Sequence, residues 1–497
     1  MKTQYSFITI VINLFTLIPF AGSCQITYPI AGTGVTRCYG NAGVINCPTG
    51  TSDAFYGQFQ GTPPSYRDNG DGTVSDLVTG LMWMQNRSVK VGQDSAFILA
   101  SQCTLGGYND WRVPTIKELY SLINFNGKSG ASASQCTAYI DTNFFRWTTG
   151  NLSLGERIID AQDWSSNKYT GLTMNGDTTI FGVNFVDGRI KGYPKYQPPT
   201  NTIPQKMYVR FVRGNSTYGI NNFTDNGDSS VTDNATGLMW AKYDDGNGMN
   251  WESALAYAQT KNVFNYLGHS DWRLPDAKEL QSIVDYSRSL DATSSAAINP
   301  VFNCIVLTDE GGNTNYPFYW SSTTHLDNMG GVYIAFGEAL GYMKMPPTVT
   351  YYTLKDVHGA GAQRSDPKSG SPTSYYLGTN QSGDPVYGLG PQGDVIRINN
   401  FVRLVRNAVP ASVNENMDNR SFIVYPDPII KICRISVNNE NSKFKIYIYN
   451  TFGFKVRELD ITGSTDVDLS DLTNGVYFLQ IRTDYSDGFI KKIIVAK

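Results

Sequence analysis

Residues 68–83 read DNGDGTVSDLVTGLMW and residues 225–240 read DNGDSSVTDNATGLMW, so these two stretches are identical at 11 of 16 positions. Further along, residues 110–123 (DWRVPTIKELYSLI) match residues 271–284 (DWRLPDAKELQSIV) at 8 of 14 positions. Two long matches in the same order do not arise by chance. The sequence therefore predicts one domain that occurs twice in tandem.

Two shorter motifs extend the repeat. WSS occurs at residues 164–166 and 320–322, and VRxVR occurs at residues 209–213 and 402–406. The gap between these motifs is 37 residues longer in the second copy. We expect a loop insertion between about Met345 and Ile396, and its Gly, Pro, Ser and Tyr content predicts a surface position.

Local chemistry predicts the elements of each copy. Asn-Gly followed by Asp-Gly marks a tight turn that joins two strands in a hairpin. Thr115 with Glu118, and Asp276 with Glu279, have the spacing of a capping box at the start of a helix, which explains both glutamates without catalysis. Each copy is predicted to be an α+β domain with a hairpin, two short helices, long loops and closing strands.

The tryptophans follow the repeat. Six of the eight form three equivalent pairs: Trp83 and Trp240, Trp111 and Trp272, Trp164 and Trp320. Rings that recur at fixed places are typical of core anchors, because each buries a large apolar area. Stacking against a ligand is the alternative.

Composition and the N-terminus restrict the class of protein. The 497 residues suffice for about three domains, and 40 basic against 43 acidic residues show no basic excess, so we expect no nucleic-acid partner. Residues 1–23 contain a short apolar run followed by small residues, which predicts a secretory signal peptide and no transmembrane segment. Cleavage after Ser23 leaves Cys24 first, and its lipid modification stays open.

Export permits disulfides. The chain has seven cysteines, and in the N-terminal segment, residues 24–59, Cys38 and Cys47 enclose a Gly- and Asn-rich stretch. These two are the predicted disulfide pair. With no CxxC spacing and three histidines in the chain, a zinc site of Cys and His is not expected.

The ordered motifs DNGDGTVxD, TGLMW, DWRxPxxKEL, YWSS (DWSS in the first copy) and VRxVR resemble the Lcl C-terminal domain family, named for a collagen-like bacterial surface protein. Two tandem copies cover residues 60–214 and 218–408. The family is grouped with C-type lectin-like folds, so the resemblance implies two C-type lectin-like domains. Family members often carry a cysteine in the last motif, where this chain has Phe211 and Leu404.

The tail is a third domain. After a polar linker, residues 409–420, residues 421–497 alternate apolar segments with turns, which predicts a small all-β sandwich. The series YPDP, DLSDLTNGVYFLQI and KKIIVAK resembles the type A C-terminal sorting domain of type IX secretion cargo. That resemblance implies passage through the periplasm, engagement of the type IX secretion machinery, and a secreted or outer-surface location.

Catalytic patterns are missing from the sequence. The three histidines, His269, His325 and His358, all lie in the second copy, and we expect His269 and His325 in solvent-facing loops. Sulfatase-modifying enzymes of the related fold depend on a cysteine pair, whereas Cys103 here is either free or paired with Cys136. The sequence therefore predicts no enzyme. An extracellular enzyme of the sulfatase-modifying or carbohydrate-active type is the alternative.

Each hairpin turn carries three acidic residues within nine positions: Asp68, Asp71 and Asp76 in the first copy, and Asp225, Asp228 and Asp233 in the second. Such oxygens can bind calcium, although the spacing is not that of an EF-hand. The alternative is a turn in which each carboxylate accepts from its own backbone amides. No other cofactor is expected.

The leading hypothesis is a binding protein for adhesion or for capture of a glycan or protein, because two linked weak sites gain apparent affinity. Long loops usually form the binding face in such folds, and tyrosine binds ligands at low entropic cost. The candidate binding residues are Tyr342, Tyr351, Tyr352, Tyr375, Tyr376 and Tyr387. The alternatives are tyrosines that only cover a loop, and a passive structural protein without a discrete ligand.

Overall fold

The computed structural model describes residues 26–46, 61–198, 201–345, 348–408, 422–425, 429–437, 443–450, 455–483 and 486–497. One compact unit spans residues 24–409, and another contains residues 410–497. Strands are more extensive than helices in both units, which agrees with the predicted β-rich tandem organisation. No helix in the described ranges is long and apolar enough to cross a membrane.

The first copy of the repeat, module 1 (residues 60–214), starts with the predicted hairpin. Its four-stranded sheet has the order Tyr66–Asp68, Thr73–Asp76, Leu81–Met84, Val212–Gly214. A helix at Gln93–Ser101 and helix α1 at Ile116–Ser121 follow the hairpin. Three longer strands come next: β1 at Gln162–Thr173, β2 at Asp177–Asn184 and β3 at Arg189–Pro194.

Module 2 (residues 218–408) repeats this order. Its four-stranded sheet contains Phe223–Asp225, Ser230–Asp233, Leu238–Ala241 and Val405–Asn407. The helices are Trp251–Val263, α2 at Ala277–Ser282 and Leu290–Thr293. A short hairpin, Leu307–Thr308 with Thr314–Asn315, precedes β4 at Phe318–His325, β5 at Gly330–Ala335 and β6 at Gln363–Asp366.

The extra chain of module 2 builds a sheet of its own. The strands lie in the order Thr353–Asp356, Leu340–Met343, Asp394–Val395, Pro385–Leu389, Tyr376–Thr379. The prediction of a surface insertion holds only in part, because β6 lies within the expected insert and is buried. Since β6 is the counterpart of β3, the extra residues of module 2 form two separate insertions, one before β6 and one after it.

The two modules share one central sheet. Its six strands lie in the order β4-β5-β6-β3-β2-β1, and Gln363 of β6 pairs with Ile190 of β3. Each module therefore contributes the same three strands, arranged about a pseudo-two-fold axis between β6 and β3. Helices α1 and α2 contact each other and the strands of this sheet.

The helix pair repeats the same symmetry in its hydrogen bonds. Lys117 of α1 donates from Nζ to the carbonyl of Ser282 at 2.6 Å, and Lys278 of α2 donates to the carbonyl of Ser121 at 2.7 Å. One hydrophobic core contains buried residues of both modules, among them Trp83 and Trp240. The modules are thus halves of one packed body.

The N-terminal segment belongs to the same body. Tyr28, Ile30 and Val35 are buried in the shared core, and Cys38–Tyr39 pairs with Val44–Ile45 in a small hairpin. Cys38 is disulfide-bonded. Its predicted partner Cys47 lies outside the described residues, as do the signal peptide and the linker, so these stay predictions.

The C-terminal unit is a small sandwich of two sheets. One contains Phe422–Tyr425, Ile432–Val437 and Thr465–Asp468. The other has the order Lys455–Thr462, Lys443–Asn450, Gly475–Thr483, Ser486–Val495. Alternate residues such as Ile446 and Leu479 fill its core, as the period of two along the sequence predicts.

Candidate functional site

The DWR motif holds the start of each central helix. Arg112 donates to both carboxylate oxygens of Glu118, at 2.6 and 2.5 Å, and the same carboxylate accepts from the amide of Thr115 at 2.8 Å. Module 2 repeats this arrangement, and both predicted capping boxes are confirmed. Sequence reasoning missed the arginine, although the same six-residue spacing from Arg to Glu in both copies was a signal for the pair.

The two arginines of VRxVR are also structural. Arg210 is buried and donates to three backbone carbonyls, and Arg403 does the same in module 2. Arg213 pairs with Asp110 of the DWR motif at 2.6 Å, and Arg406 forms the equivalent pair. The six paired tryptophans are at most 4% exposed, which supports their interpretation as core anchors. The shared motifs therefore hold the fold.

The acidic turns bind their own backbone. Each of the six aspartates accepts from an amide two or three residues further along the chain. The bonds from Thr73 lower the pKa of Asp71, whereas burial raises the pKa of Asp76. Within the described ranges, no three His, Cys, Asp or Glu side chains converge as metal ligands. These hydrogen bonds match a turn in which each carboxylate accepts from its own backbone amides, and calcium binding stays a prediction.

The prediction that His325 faces solvent is wrong. Its ring is fully buried where the modules meet, with Nε2 at 2.8 Å from the carbonyl of Asp187 and the ring stacked on Tyr139 at 5.2 Å. Burial, reinforced by Arg189, lowers the pKa of His325 to about 3. Strand β4 carries this histidine into the central sheet, where Asp187 and Tyr139 of module 1 and Asp327 of module 2 contact it.

His358 anchors the extra sheet of module 2. Its Nε2 lies 2.9 Å from Oδ1 of Asp394, whose Oδ2 accepts from Nε of Arg364 at 2.8 Å. Burial, followed by the charge of Arg364, lowers the pKa of His358 to about 4. The cluster ties the extra sheet to β6. The third histidine, His269, is half-buried.

The three cysteines of the two modules, all of them within the described ranges, are free thiols. The sequence left open whether Cys103 is free or paired with Cys136, and the structure shows that the two are not bonded to each other. Cys304 lies 3.1 Å from the hydroxyl of Tyr319, and burial raises the pKa of its thiol. A raised thiol pKa disfavours the nucleophilic thiolate.

Two of the six candidate tyrosines line one cleft in module 2. This aromatic cleft has a volume of about 630 Å³ and is lined by Tyr342, Tyr387, Phe318 and Phe401 together with polar side chains. Tyr376 contacts Tyr387 edge to face at 6.3 Å and is 60% exposed, but it lies outside the lining. Tyr351, Tyr352 and Tyr375 also lie outside the lining.

The charged side chains in the lining of the aromatic cleft determine its net charge. Arg397 pairs with Glu310 at 2.5 Å, and its guanidinium lies 3.9 Å from the centroid of Phe318. Asp309 adds a second carboxylate to the lining. Two carboxylates against one guanidinium leave a net negative cleft, which disfavours a polyanionic ligand.

Module 1 has a cleft at the corresponding place, with a different chemistry. It has a volume of about 490 Å³, and Gln162, Gln205 and Lys206 line it at the positions equivalent to Phe318, Ile398 and Asn399. Tyr193 of module 1 and His358 of module 2 also line it, so this cleft has fewer aromatic side chains than the aromatic cleft. Sequence reasoning missed this cleft pair because the lining positions lie outside the matching motifs.

Comparisons with known proteins identify both parts of the chain. Residues 72–213 and 229–353 match the model of the Lcl C-terminal domain. Residues 423–496 match the secretion system C-terminal sorting domain. Among solved structures, the extracellular domain of a putative one-component system from B. thetaiotaomicron aligns at 10% identity over 87% of this chain and 73% of that chain, and the TM-score of 0.12 does not indicate a shared fold. The comparison with curated proteins finds no match.

Proposed function

The chain belongs to the Lcl C-terminal domain family, and from this premise we propose that it is a non-catalytic binding protein that captures a glycan or protein outside the cell. Its type IX sorting domain indicates export, with a secreted or outer-surface location. The proposal includes the C-type lectin-like architecture that the family resemblance implies for each module.

The aromatic cleft carries the proposal. Tyr342 and Tyr387 present their rings beside the paired charges of Arg397 and Glu310, and sugar rings and peptides both bind to such mixed surfaces. The shared motifs, in contrast, use their charged groups to hold the fold. This division supports recognition by the divergent parts of module 2 and gives no support to shared catalytic chemistry.

An array of glycans and matrix proteins tests the proposal, using the full secreted chain with and without a calcium chelator. We expect saturable binding to at least one ligand class. Tyr342→Ala and Tyr387→Ala should each weaken it about ten-fold, since loss of one aromatic contact costs roughly 1.4 kcal/mol. Tyr243→Ala, which removes an exposed tyrosine of module 2 outside the lining, is the matched control.

Two results would contradict the proposal. A chain that binds nothing on the array would favour a passive structural protein. Binding that Tyr243→Ala weakens as much as Tyr342→Ala would place the ligand outside the aromatic cleft. A loss of binding in chelator alone would support the calcium prediction for the aspartate turns.

A further inference from the structure

An irregular segment of the chain itself lies along one side of the helix pair α1 and α2, and we call this place the first seat. Residues 32–34 present three consecutive carbonyls to Lys278, Phe125 and Asn126. The donors are Nζ of Lys278 at 2.8 Å, the amide of Phe125 at 2.9 Å and Nδ2 of Asn126. Hydrogen bonds to its main chain therefore hold this segment, and its residues are small: Thr33 is buried, and Gly34 has a φ of +77° and leaves no room for a side chain beside Asn124.

The pseudo-two-fold axis generates a second seat on the opposite side. Lys117, Tyr286 and Ser287 occupy the equivalent positions of the repeat. The local turns also match, because the amide of Ser287 donates to Oδ1 of Asp285 at 3.0 Å and the amide of Asn126 donates to Oδ1 of Asn124 at the same distance. The second seat thus has the same backbone shape as the first.

At the second seat, the chain itself supplies only the first of the three carbonyls, the one that binds the lysine. Lys117 donates to the carbonyl of Gly219 at 3.1 Å, as Lys278 does to Gly32. After Gly219 the chain turns away, and the amide of Asn222 bonds to Asp233 instead. Within the described part of the chain, the amide of Tyr286 has no backbone carbonyl acceptor.

The unfilled part of the second seat is a cleft between the two modules. This seam cleft has a volume of about 450 Å³ and runs from Lys117 and Asn167 of module 1 to residues 283–287 of module 2. Ile220 at its rim is 62% exposed, and Phe223 also lines it. The seam cleft is continuous with the interface between the modules.

We propose that the seam cleft binds a non-helical polypeptide segment of another protein, rich in small residues, through the free amide of Tyr286. The occupant of the equivalent seat is such a segment, containing Gly32, Thr33 and Gly34. The ammonium of Lys117 already has three acceptors, so the cleft offers no unpaired cation there to an acidic ligand. Contact with the partner would also cover Ile220.

A labelled peptide with the sequence of residues 32–40, carrying serine at the position of Cys38, tests the proposal on the full chain. We expect saturable binding by fluorescence anisotropy and slower hydrogen exchange at the amides of Tyr286 and Ser287. Ile220→Arg and Ser287→Trp, which obstruct the rim, should each weaken binding at least ten-fold. Leu152→Arg, an equally exposed apolar residue outside the cleft, is the control.

The proposal is overturned if the peptide does not bind, if a scrambled peptide binds equally well, or if protection from exchange appears elsewhere. Equal binding by the Ile220→Arg and Leu152→Arg variants would overturn it as well. Unchanged thermal melting of the variants excludes unfolding as the cause of a loss. Ligands of the aromatic cleft should not compete with the peptide, so this proposal and the proposed function fail or succeed separately.

Discussion

The guanidinium of Arg273 donates two hydrogen bonds, of 2.6 and 2.7 Å, to the carboxylate of Glu279. Their side chains are 8% and 2% exposed, so Glu279→Gln removes the carboxylate charge from a buried ion pair. Breaking one side of such a pair lowers the free energy of unfolding by about 3–5 kcal/mol. Urea denaturation of the variant measures this loss.

Module 1 supplies the control for that experiment. Glu118→Gln removes the equivalent carboxylate, but the side chain of Arg112 is 34% exposed and water can solvate it after the change. We therefore expect a smaller loss than for Glu279→Gln. Equal losses in the two modules would contradict the argument from burial.

The capping boxes at Thr115 and Asp276 could be predicted because all their partners lie within one helical turn. His325 could not, since its burial depends on Asp187 and Tyr139, which reach it only after the modules dock about the pseudo-two-fold axis. Periodicity within one copy carries no information on that docking. The sequence therefore predicted each module better than their interface.

The two buried histidines should make stability depend on pH. The folded pKa values of His325 and His358 are about 3 and 4, against 6.5 for an unperturbed histidine. The unfolded chain therefore binds more protons below pH 6.5, and the stability that these groups provide is lost as the pH falls toward 4. Asp356 and Asp366 oppose this, because burial raises their pKa to about 7 and the folded chain takes up their protons first.

A single variant isolates the histidine contribution. His358→Gln removes one titrating group and keeps the pair between Asp394 and Arg364. Relative to the unmodified chain, the variant should gain about 1.4 kcal/mol per pH unit between pH 6 and pH 4.5. Urea denaturation at three pH values measures the difference, and a difference that stays constant with pH would contradict the assignment.

The shared sheet and core predict that the two modules unfold together. Phe125→Ala in module 1 and Leu280→Ala in module 2 both create cavities in the same core and should each cost about 2–5 kcal/mol. Differential scanning calorimetry should show both variants lowering the melting temperature of one common transition. Two transitions, each moved by only one of the variants, would show that the modules fold independently.

The candidate binding residues illustrate a second limit of the sequence. Tyr342 and Tyr387 reach one cleft because the extra sheet pairs its strands in an order that the chain does not follow. Tyr376 is as prominent in the sequence but lies outside the lining. The composition of the sequence indicated the region that contains the cleft. Which of its tyrosines line the cleft depends on the order of the strands in the sheet.

The N-terminal segment offers the last prediction. Lys368 donates from Nζ to the carbonyl of Gly40 at 2.8 Å and to Thr324 at 2.7 Å, next to the disulfide-bonded Cys38. Cys38→Ser should lower the free energy of unfolding by about 2–4 kcal/mol, and Lys368→Met by about 1–3 kcal/mol. Because both changes release the same segment, the double variant should lose less than the two losses added together. Urea denaturation completes this double-mutant cycle, with exposed Lys445→Met as the control, and strict additivity would show that the disulfide and the lysine hold the chain independently.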